Sequence, residues 1–304
     1  MAAPDPATTD PSRYRGRFAP SPTGPLHLGS IVAALASFLD ARSVSGVWLV
    51  RIEDLDPPRE MPGAADHILR TLEQLHLFWD EEVIYQSKRE EAYRAALTSL
   101  HAQQLVYACN CSRLELAGTS TYPGTCRYSA RSHAPGTALR CRVPDAEFGF
   151  HDRLQGHYSQ QLAREAGDFV LLRKEGLFAY QLAVVVDDGW QGITDIVRGC
   201  DLLDSTPRQL WLQQCLGLSE PRYAHLPLII NEQGQKLGKQ QHSPAVDTSN
   251  PVHTLIAALS LLGQQPQPWL QNESNPDTIL AWAILHWRPQ HLTGIGHIPQ
   301  IAYT

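Results

Sequence analysis

The sequence predicts an α/β fold, in which a Rossmann-like, doubly wound parallel sheet is split by an insertion and followed by a small helical C-terminal region. Short apolar runs alternate with longer stretches of helical periodicity, which is typical of strand–helix–strand units with a parallel sheet. The alternation stops between residues 106 and about 167, where cysteine, glycine and proline are frequent. After about residue 250 only helical periodicity remains.

This pattern divides the 304 residues into five segments. They are a disordered tail at 1–12, the first half of a catalytic α/β domain at 13–105, a zinc-containing, acceptor-binding-like insertion at 106–167, the second half of the domain at 168–249, and the helical C-terminal region at 250–304. The tail is assigned as disordered because Pro, Asp, Ala and Thr leave it nothing to bury.

Composition and charge limit the function classes. Hydrophobic residues make up 43% and charged residues 18% of the chain, which indicates a folded protein and excludes a disordered or fibrous one. The net charge of −6 provides no global basic field, so contact with nucleic acid needs a local patch. Residues 110–142 offer one, with five arginines (113, 127, 131, 140 and 142) against the single acid Glu115.

Neither a secretory signal nor a membrane span is expected. The N-terminal residues lack the basic and apolar regions of a signal peptide. The longest apolar runs, such as LAVVV, are much shorter than the ~20 residues that cross a bilayer. We therefore expect a cytoplasmic protein without membrane contact, and no obligate protein partner is evident.

The first half of the domain reads as strand RGRFA, turn PSPTGP, a helix from about His27 to Arg42, strand VWLVRIE and a helix from about Ala64 to Leu77. After the insertion the α/β pattern resumes with FVLLR, YQLAVVVDD and ITDIVRG, then a helix from about Ser205 to Leu216 and strand-like HLPLIIN. An active site is expected at the carboxyl ends of the strands. The tryptophans of the C-terminal region look exposed and could contact RNA or simply pack.

The first motif is PSPTGPLHLGS at residues 20–30, a rigid turn leading into a helix. A helix N-terminus with unpaired N–H groups favours phosphate binding. His27 could donate to a phosphate oxygen, and Gly29 would let a flat ring lie against the backbone. The alternative is an ordinary helix start with a solvent-facing histidine.

The second motif is KLGKQ at residues 236–240, which contains two of the four lysines of the chain. Ammonium groups on flexible side chains, here Lys236 and Lys239, suit a departing pyrophosphate. The alternative is a solvated turn.

Four of the six cysteines lie close together in sequence, at 109, 111, 126 and 141. In a reducing compartment such a cluster more often binds metal than forms disulfides. Chemistry alone would complete a tetrahedral zinc site on Cys109, Cys111 and Cys126 with Cys141 or His133, while reduced cysteines without metal remain an alternative. Cys200 and Cys215 are expected to pack in the fold.

Taken together, the motifs resemble the class I aminoacyl-tRNA synthetases. RFAPSPTGPLHLGS, RIEDLDPPR, VVVDD…ITDIVRG, STPRQ and KLGKQ are similar to the glutamyl branch over roughly residues 13 to 245. The chain has no room for the large anticodon-binding region of a full-length glutamyl enzyme. With the cysteine cluster, this resembles the branch that attaches glutamate to queuosine in the anticodon of tRNA(Asp).

The resemblance implies L-glutamate, ATP with Mg²⁺ and tRNA(Asp) carrying queuosine as substrates, and one structural zinc ion. It implies His27 and Lys239 as catalytic residues, with Gly29 and Lys236 also binding ATP. The glutamate site would comprise Arg17, Phe18, Ala19, Pro20, Ser21, Glu53, Tyr180 and Arg198. The zinc ligands would be Cys109, Cys111, Tyr122 and Cys126, where Tyr122 rests on the resemblance only.

Two positions depart from the family pattern. Gly238 stands where the second signature usually has serine, which removes one hydroxyl donor and predicts an active but slower enzyme. Ser30 replaces the second histidine of the generic first signature, as in the glutamyl branch. Arg51, Asp54 and Asp56 near the predicted glutamate site are better explained as ion-pair partners that stabilise the domain.

Two other functions remain open. A truncated glutamyl-tRNA synthetase would charge a terminal adenosine, and a zinc-containing RNA-binding module would have lost catalysis. If the glutamate site holds a buried guanidinium, it should reject glutamine, because a neutral amide leaves that charge unpaired.

Overall fold

The structure, a computed structural model, describes residues 13–129, 133–231, 233–234 and 245–299. The predicted tail and the KLGKQ motif with Lys236, Gly238 and Lys239 lie outside these residues. In the described part, the strands are β1 Arg15–Phe18, β2 Val47–Ile52, β3 Ile84–Tyr85, β4 Val106–Cys109, β5 Ala138–Cys141, β6 Glu147–Asp152, β7 Gly156–Gln161, β8 Val170–Leu172, β9 Asp195–Gly199, β10 Arg222–Leu226, β11 Leu228–Ile230 and β12 His297–Pro299. The helices are α1 Leu28–Arg42, α2 Ala64–Gln74, α3 Glu90–Ala102, α4 Tyr180–Trp190, α5 Thr206–Leu216, α6 Pro251–Leu261 and α7 Pro276–His286.

A parallel sheet forms the centre of the fold, as the sequence predicts. Strand β2 pairs in parallel with β1 and β3, and β9 pairs in parallel with β10. Strands β1 and β9 lie side by side, where the Thr194 N–H donates to the Arg15 carbonyl at 3.0 Å. The order is therefore β3-β2-β1-β9-β10, so the carboxyl ends of β1, β2 and β9 meet at one edge.

Both faces of this sheet are buried, because side chains alternate along each strand. On β2, Trp48 and Val50 pack into a core that also contains α1, α2, α6 and α7. Val47 and Leu49 point to the opposite face and pack with Phe150 of β6. Helices thus cover one face, and the insertion contributes to the cover of the other.

The insertion contains two antiparallel elements, the sheet β4-β5-β8 and the hairpin β6–β7. Strand β8 belongs to FVLLR, which we expected to resume the parallel sheet, and that expectation is wrong: β8 pairs with β5. A three-residue apolar strand carries no signal for its partner, since periodicity reports burial and not pairing. The boundaries that the sequence analysis gives for the five segments of the chain remain predictions.

The C-terminal region packs on α1 through α6 and α7. It is not purely helical, because β12 pairs in parallel with β11. Trp287, which looked exposed in the sequence, is only 6% exposed, and its indole N–H donates to Asp40 at 3.0 Å. Asp40 also accepts from Tyr14 and Arg153, so one buried carboxylate joins three distant parts of the chain. No helix within the described residues has both the length and the apolar character needed to cross a membrane.

Candidate active site

The predicted turn and helix start lie at the carboxyl end of β1, as expected. His27 is the N-cap of α1, and its Nδ1 accepts from the Ser30 N–H at 3.3 Å. Because Nδ1 accepts, a neutral ring carries its proton on Nε2, which lies 3.1 Å from the Ser30 hydroxyl. His27 therefore sits at the positive end of a 15-residue helix with an N–H that can be offered to an anion.

A cavity of about 390 Å³ opens beside this helix start. Pro20, His27 and Gly29 line one side, and the apolar side chains of Pro227 and Ile229 line another. A flat ring between apolar walls, with phosphates directed at the helix N-terminus, matches this arrangement.

A second cavity of about 480 Å³ lies at the carboxyl ends of β1, β2 and β9. Of the eight residues predicted to bind glutamate, seven line it: Arg17, Phe18, Ala19, Ser21, Glu53, Tyr180 and Arg198. Pro20 lines the first cavity instead. The two cavities share a wall formed by Phe18, Ser21, Ala33, Gly199 and Asp201. Molecules bound in the two cavities would therefore be in contact range of each other.

The charges below the second cavity form a balanced network. Asp188 accepts two hydrogen bonds from Arg17, at 3.0 and 3.3 Å, and a third contact from Arg51 at 2.8 Å. Arg51 also lies 3.4 Å from a Glu53 oxygen. Two guanidiniums thus face two carboxylates. Arg51 is fully buried, which fits the expectation that it stabilises the domain.

The same network shifts the pKa values of the two acids in opposite directions. Burial alone would raise the pKa of Asp188, but Arg17 and Arg51 outweigh it and hold this pKa below its ordinary value. For Glu53 burial dominates, so its pKa is raised despite the nearby Arg51 and Arg17. An incoming ammonium group would favour the charged form of Glu53 and gain a strong partner.

Arg198 carries the charge in this pocket that the protein itself leaves unbalanced. Its nitrogens donate to His225 Nε2 at 3.0 Å, the Thr206 hydroxyl at 2.8 Å, the Leu202 carbonyl and the Tyr180 hydroxyl at 3.4 Å. These partners are all neutral, and no carboxylate of the described residues pairs with Arg198. Arg198 therefore offers a substrate carboxylate a guanidinium that is not already paired with an acid of the described residues.

Asp56 makes the ion pairs expected of it, whereas Asp54 accepts hydrogen bonds and forms no ion pair within the described residues. Asp54 accepts from the backbone N–H and the hydroxyl of Ser87. Asp56 pairs with Arg59 and Arg173. Neither aspartate lines the second cavity.

The sequence interpretation missed two groups of this site, Asp188 and His225. Asp187 and Asp188 are adjacent buried acids on α4. Two carboxylates directly after the apolar run LAVVV were a usable signal, because buried acids require cationic partners. For His225, inside the strand AHLP, nothing in the local sequence distinguishes a ligand contact from core packing.

Three of the proposed zinc ligands form a compact group in the insertion, since the sulfurs of Cys109, Cys111 and Cys126 all lie within 4.8 Å of one another. The Cys111 and Cys126 sulfurs are 3.6 Å apart, and the Tyr122 oxygen lies 3.3 Å from Cys109 and 3.6 Å from Cys111. Zinc–sulfur bonds of ≈ 2.3 Å at tetrahedral angles would place sulfurs about 3.8 Å apart and an oxygen ligand about 3.5 Å from each sulfur. The Cys111–Cys126 spacing and both distances from the Tyr122 oxygen are thus close to those of a tetrahedral zinc site.

The alternative fourth ligands fit less well. Cys141 packs in the core of the insertion, and burial raises the pKa of its thiol well above the ordinary value. His133 is exposed. Tyr122, in contrast, lies among the thiols, and the Arg140 guanidinium stacks 3.8 Å over its ring; burial and the hydrogen bonds with Cys109 and Cys111 raise the pKa of this phenol, so it is chosen by its position. The geometry favours Tyr122 as the fourth donor.

The local basic patch is smaller than the sequence suggests. Arg127 pairs with Asp168, Arg140 donates to the Asp168 carbonyl, and Arg142 donates to the Arg127 carbonyl. These three arginines therefore stabilise the insertion. Of the other two, Arg113 is exposed and residue 131 lies outside the described residues.

Comparisons with known proteins identify relatives of this chain among the tRNA synthetases. The model of the class I tRNA synthetase family for glutamate and glutamine (E and Q), catalytic domain, matches residues 13–268. A protein named glutamyl-Q tRNA(Asp) synthetase from Pseudomonas entomophila is 54% identical over 95% of this chain and 98% of its own length. A protein of the same name from Pseudomonas aeruginosa is 53% identical with the same coverage.

Among solved structures, the glutamate-tRNA synthetase of Elizabethkingia anophelis matches with a TM-score of 0.80 at 24% identity, over 96% of this chain and 68% of that one. The glutamate tRNA ligase of Elizabethkingia meningosepticum, solved in complex with its amino acid, matches with a TM-score of 0.78, the same identity and the same coverage. These likenesses confirm the predicted α/β catalytic fold.

Proposed function

This chain belongs to the class I tRNA synthetases of the glutamate and glutamine type, and on that premise we propose that it activates L-glutamate with ATP and transfers it to queuosine in the anticodon of tRNA(Asp). The acceptor follows from the curated relatives, whose name specifies it and which this chain matches over 98% of their length. The enzyme is a ligase.

The observation that carries the proposal is the shared wall between the two cavities. Gly199 and Asp201 of β9 and the following turn border both of them. One cavity has the chemistry for a nucleotide, and the other has a carboxylate and a positively charged fork for an amino acid. Two substrates that must react with each other are best held in neighbouring sites, since proximity supplies much of the rate enhancement.

In the first step, the α-carboxylate oxygen of glutamate attacks the α-phosphorus of ATP, and the bond to pyrophosphate breaks. The products are glutamyl-adenylate and pyrophosphate. His27 donates its Nε2–H to a phosphate oxygen and stabilises the negative charge that develops there. Lys236 and Lys239, outside the described residues, are proposed to neutralise the departing pyrophosphate, while Mg²⁺ accompanies the nucleotide.

In the second step, a hydroxyl of the cyclopentene ring of queuosine attacks the glutamyl carbonyl, the hydroxyl loses its proton, and AMP departs. Glu53 binds the ammonium group of glutamate in both steps, while Arg17 and Arg198 bind substrate carboxylate, of which the adenylate keeps only the side-chain group. Arg17 uses Nε and Nη2 for Asp188, so Nη1 remains as its donor to substrate. A neutral glutamine side chain would leave the Arg198 charge uncompensated, which predicts rejection of glutamine.

Zinc is proposed to hold the insertion together. Bound by Cys109, Cys111, Tyr122 and Cys126, it would link two loops that have only a small core of their own, formed around Tyr107. Its role is structural, because four protein donors leave no position for substrate.

The proposal is tested by transfer of labelled glutamate to two matched tRNA(Asp) samples, one with queuosine and one with guanosine at the same position. Labelling of the queuosine form alone is the expected result. Labelling of tRNA(Glu) instead would identify a truncated glutamyl-tRNA synthetase. The absence of glutamate-dependent ATP–pyrophosphate exchange would leave the non-catalytic RNA-binding module. Glutamine in place of glutamate serves as the specificity control.

A further inference from the structure

We propose that His225 and Asp152 are positioning residues, which hold the Arg198 guanidinium in the orientation that binds a substrate carboxylate. The inference rests on the proposed function, because it assigns Arg198 to glutamate. It adds a requirement that neither the motifs nor the relatives indicate: affinity for the amino acid depends on a hydrogen-bond relay that starts in the inserted hairpin β6–β7.

The relay consists of two consecutive contacts between buried side chains. Arg198 Nε donates to His225 Nε2 at 3.0 Å, and His225 Nδ1 lies 2.6 Å from Asp152 Oδ2. The side chains of His225 and Asp152 are both completely buried. His225 also contacts the aromatic rings of Tyr223 and Phe150, whose centroids both lie 6.0 Å from its own. Complete burial and these contacts restrict rotation of the imidazole away from Arg198.

The contacts determine which nitrogen of His225 carries the proton. A guanidinium has only donors, so His225 Nε2 must accept, and the proton must be on Nδ1, where the Asp152 carboxylate receives it. Protonation of both nitrogens would direct an N–H at the Arg198 N–H. Burial and the Arg198 charge lower the pKa of His225 despite the Asp152 contact, so the neutral tautomer is the form present at pH 7.

Asp152 is itself held rigidly by the hairpin turn. Its Oδ1 accepts from the backbone N–H groups of Leu154 and Gln155, both at 2.9 Å. The backbone N–H of His225 approaches both of its oxygens at 3.1 Å. The Gln155 side chain then donates to the His225 carbonyl at 2.8 Å. The turn after β6 and the strand β10 are thus fastened to each other directly behind the pocket.

The relay affects substrate binding because it leaves one nitrogen of Arg198 available for the substrate. His225 takes Nε of Arg198, while Thr206 and the Leu202 carbonyl take Nη2. Among the described residues, Nη1 has only the long 3.4 Å contact to the Tyr180 hydroxyl. With the other two nitrogens engaged, Nη1 is the part of the fork presented to substrate. Loss of the His225 acceptor would free Nε and let the guanidinium rotate.

Two substitutions of His225 distinguish a role in positioning Arg198 from a role in packing. In His225→Asn the amide reaches only the Nδ1 position, so it can keep the Asp152 contact but removes the acceptor for Arg198. In His225→Gln the longer side chain places an oxygen near the Nε2 position, so it keeps the acceptor and weakens the Asp152 contact. Both leave a similar gap in the packing, which makes them matched controls.

Asp152→Asn provides an independent route to the same effect. Its amide N–H₂ would face His225 Nδ1 and favour the other tautomer, with a proton on Nε2 that opposes the Arg198 N–H. The shape of the side chain is unchanged, and Arg198 is not touched by the substitution.

The measurement is glutamate-dependent ATP–pyrophosphate exchange by the full-length enzyme, with KM determined for glutamate and for ATP, each variant being assayed below its own melting temperature. We expect KM for glutamate to rise roughly tenfold or more in His225→Asn and Asp152→Asn, as for loss of a hydrogen bond to a charged group, with KM for ATP changed less than about twofold. His225→Gln should remain within about threefold of wild type.

Four results would overturn the inference. Equal KM values for glutamate in His225→Asn and wild type would show that Arg198 needs no acceptor. Equal increases in His225→Asn and His225→Gln, or parallel increases for glutamate and ATP, would show a packing role only. A wild-type enzyme without glutamate-dependent exchange would overturn the proposed function, and this inference with it. If one variant does not fold, the comparison is made with the other two.

Discussion

Replacement of Asp188 by Asn should destabilise the protein strongly, although the two side chains have nearly the same shape. Asp188 is 4% exposed and compensates Arg17 and Arg51, whose side chains are 4% and 0% exposed. In Asp188→Asn only Glu53 would remain to balance the two guanidiniums, which leaves one uncompensated buried charge. Removal of one partner from a buried pair costs about 3–5 kcal/mol, so the free energy of unfolding should fall by this amount.

The assay is urea denaturation at pH 7, followed by circular dichroism for wild type and Asp188→Asn. Asp277→Asn is the matched control, because Asp277 pairs with His76 at a side chain that is 65% exposed. An exposed pair contributes about 0–1 kcal/mol. If Asp188→Asn were no more destabilising than this control, the charge balance described for the pocket would be refuted.

Acid titration tests the same pairing in the wild-type protein. The pKa of Asp188 is held below its ordinary value of 3.8 by Arg17 and Arg51 in spite of burial. A carboxyl group with a depressed folded pKa contributes stability above its unfolded pKa and loses it as the pH falls through the folded pKa. The contribution of Asp188 should therefore disappear below about pH 3.8 in wild type and be absent at every pH in Asp188→Asn.

Three further predictions concern the pocket and the cysteine group. Glu53→Gln should weaken glutamate binding in calorimetry roughly 10- to 100-fold, because it removes the charged partner of the ammonium group. An unchanged affinity would exclude Glu53 as that partner. The Cys111→Ser protein should contain no zinc in mass-spectrometric metal analysis, where wild type should contain one ion per chain, and it should melt at a lower temperature. The control variant Cys215→Ser should keep the metal. Equal metal content in the two variants would contradict the zinc site. Gly199→Ala should raise KM for both glutamate and ATP roughly several-fold, because a Cβ at this position would lie 2.5 Å from Asp201 Oδ1 and overpack the wall of both cavities. An increase in KM for one substrate alone would contradict a shared wall.

Local chemistry explains what the sequence could predict. The apolar runs around β1 and β2 alternate on two buried faces, and a proline- and glycine-rich turn followed by His27 marks the start of α1. These signals lie within a few residues of the features that they determine. The glutamate-site residues were instead implied by the family resemblance, and seven of them line one cavity.

Pairing over long distances explains what the sequence could not predict. Strand β8 joins β5, and Trp287 finds Asp40 across 247 residues of sequence. His225 acts on the pocket through Arg198 and depends on Asp152, 73 residues earlier. These contacts form only when distant parts of the chain pack together, so the residues next to each side chain in the sequence do not indicate its partner.

The convergence of Tyr14, Arg153 and Trp287 on Asp40 has a consequence for synthesis of the chain on the ribosome. The carboxylate emerges early, but its partner Trp287 is translated 247 residues later. Loop closure over such a distance carries an entropic cost that local helices do not face. The nascent N-terminal half should therefore remain incompletely packed until Trp287 has left the exit tunnel.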